Sequence, residues 1–358
     1  LFCGVGGMTL GVSQAARAVG LNPTVVGAIE SNRQISEVYE RNFHPRISYV
    51  DSVWSAIEFQ CAGRGDRARF IGSPRIVAEE LHGLIGDVDV ILGGPPCQGH
   101  SNLNNRSRRN DPRNILYLAL PAFAAAVGAK CVIIENVPDI VHDKGLVVQP
   151  ASRLFESLGY AVTQGVIDGS SLGIPQTRKR HLLIAAQGSL PDVSDTCAAI
   201  AAPVRTVRWA IEDLCEVAID DDFDSPSELS EVNRDRIHHL FETDAYDMPN
   251  HKRPPSHRDG HTYPSVYGRL QWDKPAGTIT TGFLTPGRGR FIHPALPRTL
   301  TPHEAARLQG FPDSFDFRLK DGGRPPKKSL STMIGDAVPS NISYMAGLAA
   351  FAAMDVRS

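Results

Sequence analysis

The chain has 358 residues, 42% hydrophobic and 21% charged, with a formal net charge of −2, which is ordinary globular material for one large or two modest domains. No run of about 18 apolar residues and no leader-like N-terminus is present, which excludes a spanning segment and predicts a cytoplasmic protein. The six cysteines (Cys3, Cys61, Cys97, Cys131, Cys197, Cys215) show no C-x-x-C pair and no Cys/His spacing suited to zinc, so neither a disulfide framework nor a metal site is expected.

The opening "LFCGVGGMTLG" (1–11) ends a strand with glycines and enters a helix, as α/β folds do where backbone amides meet a nucleotide-like ligand. It is not a dinucleotide fingerprint, because Thr9 stands where the third glycine belongs. A helix over "GVSQAARAVG" (11–20) leads to a strand, "PTVVGAIE" (23–30), whose terminal Glu30 is placed to accept hydrogen bonds from ribose hydroxyls. Asp51 ends a further short strand, "ISYVD", and is suited to an adenine amino group. The strand "VDVILGG" (88–94) then delivers Pro95, Pro96 and Cys97 to the carboxyl edge of a sheet. Stiffened backbone before a thiol in polar surroundings suits a thiolate nucleophile. Next comes a basic loop with Arg106, Arg108, Arg109 and Arg113, a cationic patch that the neutral total conceals.

A helix over 116–128, bent or starting at Pro121, precedes the strand "KCVIIENV" (130–137), where Glu135 stands at the carboxyl end and can deliver a proton to a heterocyclic nitrogen. In "IPQTRKRHLLIAA" (174–186), Arg178 and Arg180 alternate on one side of the start of a strand. Guanidinium forks at that spacing can hold a carbonyl oxygen, a phosphate or the neighbouring carboxylate. Strand and helix alternation predicts a doubly wound, mainly parallel α/β sheet. From 187 onward Pro, Asp, Ser and His crowd out the apolar runs, and "AVPSNISYMAGLAAFAAM" (337–354) returns to a core helix. The expected organisation is a catalytic and cofactor domain over 1–186, a smaller loop-rich domain over 187–334, and a segment 335–358 that rejoins the first.

These motifs together resemble the S-adenosylmethionine-dependent DNA cytosine 5-methyltransferases. "LFCGVGGMTLG", "GGPPCQGHS", "ENV", "QTRKR", "RTLTPHEAARLQGFPDSF" (298–315) and "IGDAVPSN" (334–341) stand in the family's order over nearly the whole chain. The resemblance implies a class I, Rossmann-like methyltransferase domain with a target-recognition domain. It makes Cys97 the nucleophile, Glu135 the proton donor, Arg180 the contact to the cytosine carbonyl and Arg178 the support of Glu135. It assigns S-adenosylmethionine to Phe2, Gly4, Gly6, Gly7, Glu30, Ser31, Asp51, Ser52, Pro96, Leu116 and Asp336.

Double-stranded DNA is the implied partner, gripped by Ser101, Arg106, Arg108 and Arg109 and read by Lys252, Arg253 and Arg258 within 248–265. A cognate restriction endonuclease and a nucleoid-associated prokaryotic setting are implied as well. Two residues depart from the family pattern: Asp336 follows Gly335 where asparagine is usual, and His303 stands where arginine is common. An RNA cytosine methyltransferase or a silent cofactor-binding module on the same scaffold are the alternatives. A nicotinamide oxidoreductase is disfavoured by Thr9.

Overall fold

A computed structural model describes residues 1–96, 112–142, 147–217, 221–258 and 265–354. The chain divides into two compact units, one made of Leu1–Asp168, Lys179–Ala201 and Val338–Ser358, the other of Gly169–Arg178 and Ala202–Ala337.

The first unit opens with helix α1 (Gly7–Ala18), strand β1 (Gly27–Ile29), α2 (Arg33–Phe43) and β2 (Ile47–Tyr49). Helix α2 is started by Asn32, whose side chain accepts from Ile35 N at 3.3 Å, an ordinary N-cap. A short helix α3 (Val53–Ala56) leads into two small antiparallel pairs, β3 (Ile57–Glu58) with β6 (Arg75–Ile76) and, between them, β4 (Cys61–Ala62) with β5 (Arg69–Phe70). Then follow β7 (Val90–Gly93), α4 (Ala119–Val127), β8 (Cys131–Asn136), α5 (Val148–Ser157), β9 (Ala161–Asp168), β10 (Lys179–Ala186) and α6 (Val193–Ala199). Pro121 falls within the first turn of α4, where its missing N–H has no helical partner to lose.

β1 and β2 pair in parallel. The main sheet has the order β7-β8-β10-β9, with β7 parallel to β8 and β10 antiparallel to both of its neighbours. Three of its four strands, β7, β8 and β9, therefore run in one direction, and β10 runs against them. The connection 169–178 between β9 and β10 is shorter than the dozen or so residues that a parallel crossover needs. The first three residues run between the two strand groups: Leu1 N donates to Leu92 O at 2.7 Å and Cys3 N to Ile29 O at 3.3 Å.

Because side chains alternate across strands, Ile91, Val132, Ile134, Leu183 and Ala185 face α4 and α5 in the main core. The opposite face meets α1 and α11 (Ser340–Ala353), the helix that closes the chain's return to this unit. Helices α1 and α11 pack at backbone distance. A Cβ on Gly7 would lie 2.2 Å from Val338 O, and one on Gly11 would lie 2.0 Å from Ser340 O.

The second unit holds the short helices α7 (Val207–Ile211), α8 (Glu231–Glu242), α9 (Pro302–Leu308) and α10 (Lys327–Gly335) within long loops. Its interior is partly polar. Glu304, 1% exposed, takes a two-bonded fork from Arg298 (2.8 and 2.7 Å) and completes a capping box with Thr301 at the start of α9. The domain limits expected at 186/187 and 334/335 shift in the structure. Helix α6 packs on β9 and α11, which keeps residues through Ala201 with the first unit, while 169–178 belongs to the second.

Candidate active site

The end of β8, the start of the antiparallel β10 and the stretch 94–96 after β7 meet at one edge of the sheet. In β8, Glu135 lies opposite Leu182 of β10, so Arg180, two residues earlier, shares its face and reaches it diagonally. Arg180 Nε lies 2.7 Å from Glu135 Oε1, the two side chains being 12% and 9% exposed. Arg180 Nη1 also donates to Lys179 O at 2.7 Å, which fixes the fork. A carboxylate held this way is oriented toward whatever approaches the sheet edge.

The next residue was not anticipated. Asn136, 2% exposed, donates from Nδ2 to Pro95 O at 3.1 Å and accepts from Val137 N at 2.8 Å. It thereby ties the end of β8 to the prolines that precede Cys97. A buried amide between an acid and a valine-proline turn was the available signal. Gly94 completes the corner: a Cβ there would meet Glu135 Oε2 at 3.7 Å and Met8 Sδ at 3.9 Å, which puts the carboxylate next to α1.

The opening loop is shaped by left-handed backbone at Phe2 (φ 53°), Gly4 (φ 53°) and Gly6 (φ 99°). Phe2 is the unusual one, since a side chain in this region is strained. A Cβ on Gly6 would strike the Phe43 ring at 2.1 Å. Helix α1 begins directly after it with no side-chain cap and no acidic residue in its first turn, which leaves N–H groups and the positive dipole end for an anion. Glu30 is more than a strand-end acid, for Oε2 accepts from Gly4 N at 3.1 Å and Oε1 from Asn32 N at 3.0 Å, with Ser31 Oγ at 3.5 Å. It latches the loop and keeps lone pairs for further donors.

Asp51 accepts from Ser52 N at 2.6 Å, and Ser52 caps α3 through Trp54 N. Pro96 is partly buried, whereas Leu116 is 8% exposed within the main core. Thr9, which replaces the third glycine, bonds Tyr39 Oη of α2 at 2.9 Å and so packs α1 on a helix.

Several expected residues are placed otherwise. Arg178 does not share a strand face with Arg180. It precedes β10, belongs to the second unit, is 2% exposed, and donates to the carbonyls of Ile279 (2.7 Å), Gly335 (3.2 Å) and Ala337 (3.1 Å). Its observed work is to tie loop backbone together. Asp336 is exposed at the C-cap of α10 in the same unit.

Arg253 donates to Met248 O at 3.0 Å, and Arg258 to Arg253 O at 2.9 Å and His251 O at 3.2 Å. Both arginines staple their own loop. Lys252 is exposed, and its carbonyl accepts from Arg236 Nε at 3.0 Å. His303 answers the question posed by its departure from arginine. It stacks on Phe223 at 4.9 Å, with Nδ1 2.7 Å from Asp224 Oδ1 and Nε2 3.1 Å from Asp313 Oδ1.

Cys97, Ser101, Arg106, Arg108 and Arg109 lie outside the described residues, as do 259–264 of the expected recognition segment. Of the described cysteines, Cys3 and Cys131 are pushed up to about 12 by burial, and burial also raises Cys61 and Cys215. Those four are poor nucleophiles.

Solved structures of similar shape define the class. The S. pombe Dnmt2 methyltransferase aligns with a TM-score of 0.64 at 18% identity, covering 97% of this chain and 96% of that one. The methyltransferase EhMeth of Entamoeba histolytica aligns at 0.61 and 16%, covering 98% and 96%. At such identities the likeness establishes a methyltransferase fold.

Sequence carries it further. The C-5 cytosine-specific DNA methylase family matches residues 1–348, and the chain belongs to that family. It is similar to the type II methyltransferase M1.BsuMI of Bacillus subtilis (strain 168), 40% identical over 350 residues, 97% of this chain and 78% of that protein. The type II methylase M.HgiDII of Herpetosiphon aurantiacus is 31% identical over 351 residues, 95% and 90% of the two. The chain is thus a DNA cytosine 5-methyltransferase.

Proposed function

We propose that this chain methylates carbon 5 of a cytosine flipped out of duplex DNA through a covalent adduct on Cys97, on a doubly wound methyltransferase scaffold, as the modification half of a restriction system with a cognate endonuclease. The observation that carries the reading is the corner at the sheet edge. Glu135 is held by Arg180, and the next residue, Asn136, pins the carbonyl of Pro95, two positions before Cys97.

The opening loop fits S-adenosylmethionine. The bare N-terminus of α1 suits a carboxylate, Glu30 at the end of β1 suits ribose hydroxyls, and Phe2, Gly4, Gly6, Gly7, Ser31, Asp51, Ser52, Pro96 and Leu116 would complete the site, with Asp336 toward the amino-acid end. When bound, the cofactor supplies an electrophilic methyl group on a sulfonium.

The chain's own residues do the rest. Carbon 5 of cytosine is a weak nucleophile, so the Cys97 thiolate adds at carbon 6 and makes the ring enamine-like. Glu135 delivers a proton toward nitrogen 3 as charge builds there, and Arg180 orients Glu135 and meets the ring carbonyl. After methylation, removal of the carbon 5 proton expels Cys97. The base must leave the stack first, at a cost of a few kcal/mol, and Ser101, Arg106, Arg108 and Arg109 would close over it.

The test is a duplex carrying 5-fluorocytosine at the methylated site, which blocks the final elimination. A denaturant-resistant complex with the parent protein and none with Cys97→Ala is expected. A Cys97→Ala protein that still transfers methyl groups would overturn the mechanism.

A further inference from the structure

We propose that the small turn between β4 and β5 is a second grip on the sugar–phosphate backbone of duplex DNA, made by Arg64, Arg67 and Arg69. The proposal rests on duplex DNA being the substrate.

The turn is built rather than slack. Gly63 (φ 84°) and Gly65 (φ 55°) are left-handed, and a Cβ on Gly63 would lie 2.0 Å from Arg67 O, so the loop closes as tightly as backbone allows. Ala68, 5% exposed, sits in the main core, and Cys61 and Phe70 pack against it. Phe59 joins Trp54 to Phe70, with ring centroids at 5.7 and 6.3 Å. The apolar half of the excursion is therefore anchored, and what it presents outward is charge.

Nearby charges show what an occupied arginine looks like here. Arg75 takes Glu58 at 2.9 and 2.6 Å. By contrast, Arg64, Arg67 and Arg69 are exposed, and the guanidinium of none of them forms a hydrogen bond or ion pair with a described residue. Only Asp66 offsets them within the turn. Three unspent guanidiniums on a rigid, core-anchored turn suit closely spaced phosphates.

The topology also places the turn at the correct edge. β8 and β9 both lie antiparallel to β10 and so run parallel to each other. Helix α5, which connects them, must start at the carboxyl edge of the sheet and run back. The turn packs against the start of α5, where a Cβ on Gly65 would lie 3.6 Å from Gln149 Oε1. Its arginines thus belong to the same edge as Glu135.

The experiment compares the full-length protein with its Arg64→Gln/Arg67→Gln/Arg69→Gln and Arg64→Lys/Arg67→Lys/Arg69→Lys variants. DNA affinity is measured across salt concentration, and turnover at saturating duplex. Each lost phosphate contact removes about 0.9 from the slope of log affinity against log salt. The glutamine variant should therefore lose about 2 to 3 units of slope, with a raised KM for DNA, unchanged kcat, unchanged S-adenosylmethionine binding and the same methylated sites. The lysine variant should keep the slope.

An unchanged slope in the glutamine variant overturns the proposal, and so does an equal loss in both variants, which would mark a structural role. A glutamine variant that binds DNA normally but loses an acidic protein partner also overturns it. A parent protein that methylates no DNA would sink the underlying substrate reading instead.

Discussion

Gly11→Ala tests the claim that the first and last helices meet backbone to backbone. The added Cβ would lie 2.0 Å from Ser340 O, 2.4 Å from Ser343 Oγ and 2.7 Å from Tyr344 N, where ordinary contact begins near 3.4 Å. Two of the three obstacles are backbone atoms, which cannot rotate aside, so α11 must retreat by more than an ångström. Alanine favours a helix interior over glycine by about 1 kcal/mol, and overpacking of a fitted interface typically costs about 1–3 kcal/mol, sometimes more. The retreat further opens contact along α1 at about 25 cal/mol per Å² of apolar surface re-exposed. Repulsion and lost burial outweigh propensity, and a net loss of about 1–3 kcal/mol is expected. Gly347→Ala is the graded control, because its Cβ would meet the Ala15 methyl at 2.8 Å, a softer neighbour, and should cost less. Urea denaturation with the slope held as a check on compactness should rank the midpoints parent, Gly347→Ala, Gly11→Ala. A Gly11→Ala midpoint at or above the parent's would refute the interlock.

Three further outcomes follow from the site and the two buried imidazoles. Arg180→Ala should cost about 3–5 kcal/mol by taking the guanidinium away from the Glu135 carboxylate at 9% exposure, and the double variant with Glu135→Gln should recover much of it in a denaturation cycle; full additivity would contradict the pairing. Asn136→Ala should cost about 1–3 kcal/mol for the unsatisfied Pro95 carbonyl and lower kcat more than it alters S-adenosylmethionine affinity; a calorimetric loss of cofactor binding with kcat intact would show that the tie serves something else. Burial lowers His181 and His293 to about 4 from 6.5, and His293 Nδ1 already accepts from Ala295 N and Leu296 N. The folded state therefore resists protons that the unfolded state binds, so stability is full above pH 6.5 and falls as pH drops toward 4, by at most about 1.4 kcal/mol per unit per histidine. Denaturation midpoints that do not change between pH 7 and pH 5 would contradict it.

The strands that could be read in advance were those that fill the interior. β8 is buried at every position and β10 from His181 onward, so their apolar runs are unbroken. β9 was missed because it is an edge strand with polar and exposed positions along "AVTQGVID", a pattern that resembles loop. The reversal of β10 among strands that otherwise share one direction was not legible, since direction is set by the length of a connection whose role the residues do not announce.

Glu135 was legible as an acid ending an apolar strand. Arg178 was not, because its carbonyl partners at 279, 335 and 337 lie more than a hundred positions away, and spacing to Arg180 says nothing of them. The carbonyl partners of Arg253 and Arg258 within their own loop were not legible either, since turn geometry rather than composition selects them.

The interlock of α1 with α11 also governs the order in which the molecule can be made. Gly7 touches Val338, and Ser343 Oγ donates to Gly7 O at 3.3 Å across 336 positions. During synthesis the opening loop and its helix wait, one face uncovered, until residues 338–353 have emerged. Contacts of such separation slow folding and lengthen the exposure of apolar surface. A ribosome-bound chain stopped before α11 should therefore hold β7 and β8 without a finished opening loop, and a separately supplied 338–354 peptide should be able to complete it, which makes the segment before α11 a natural place to divide the protein into two complementing pieces.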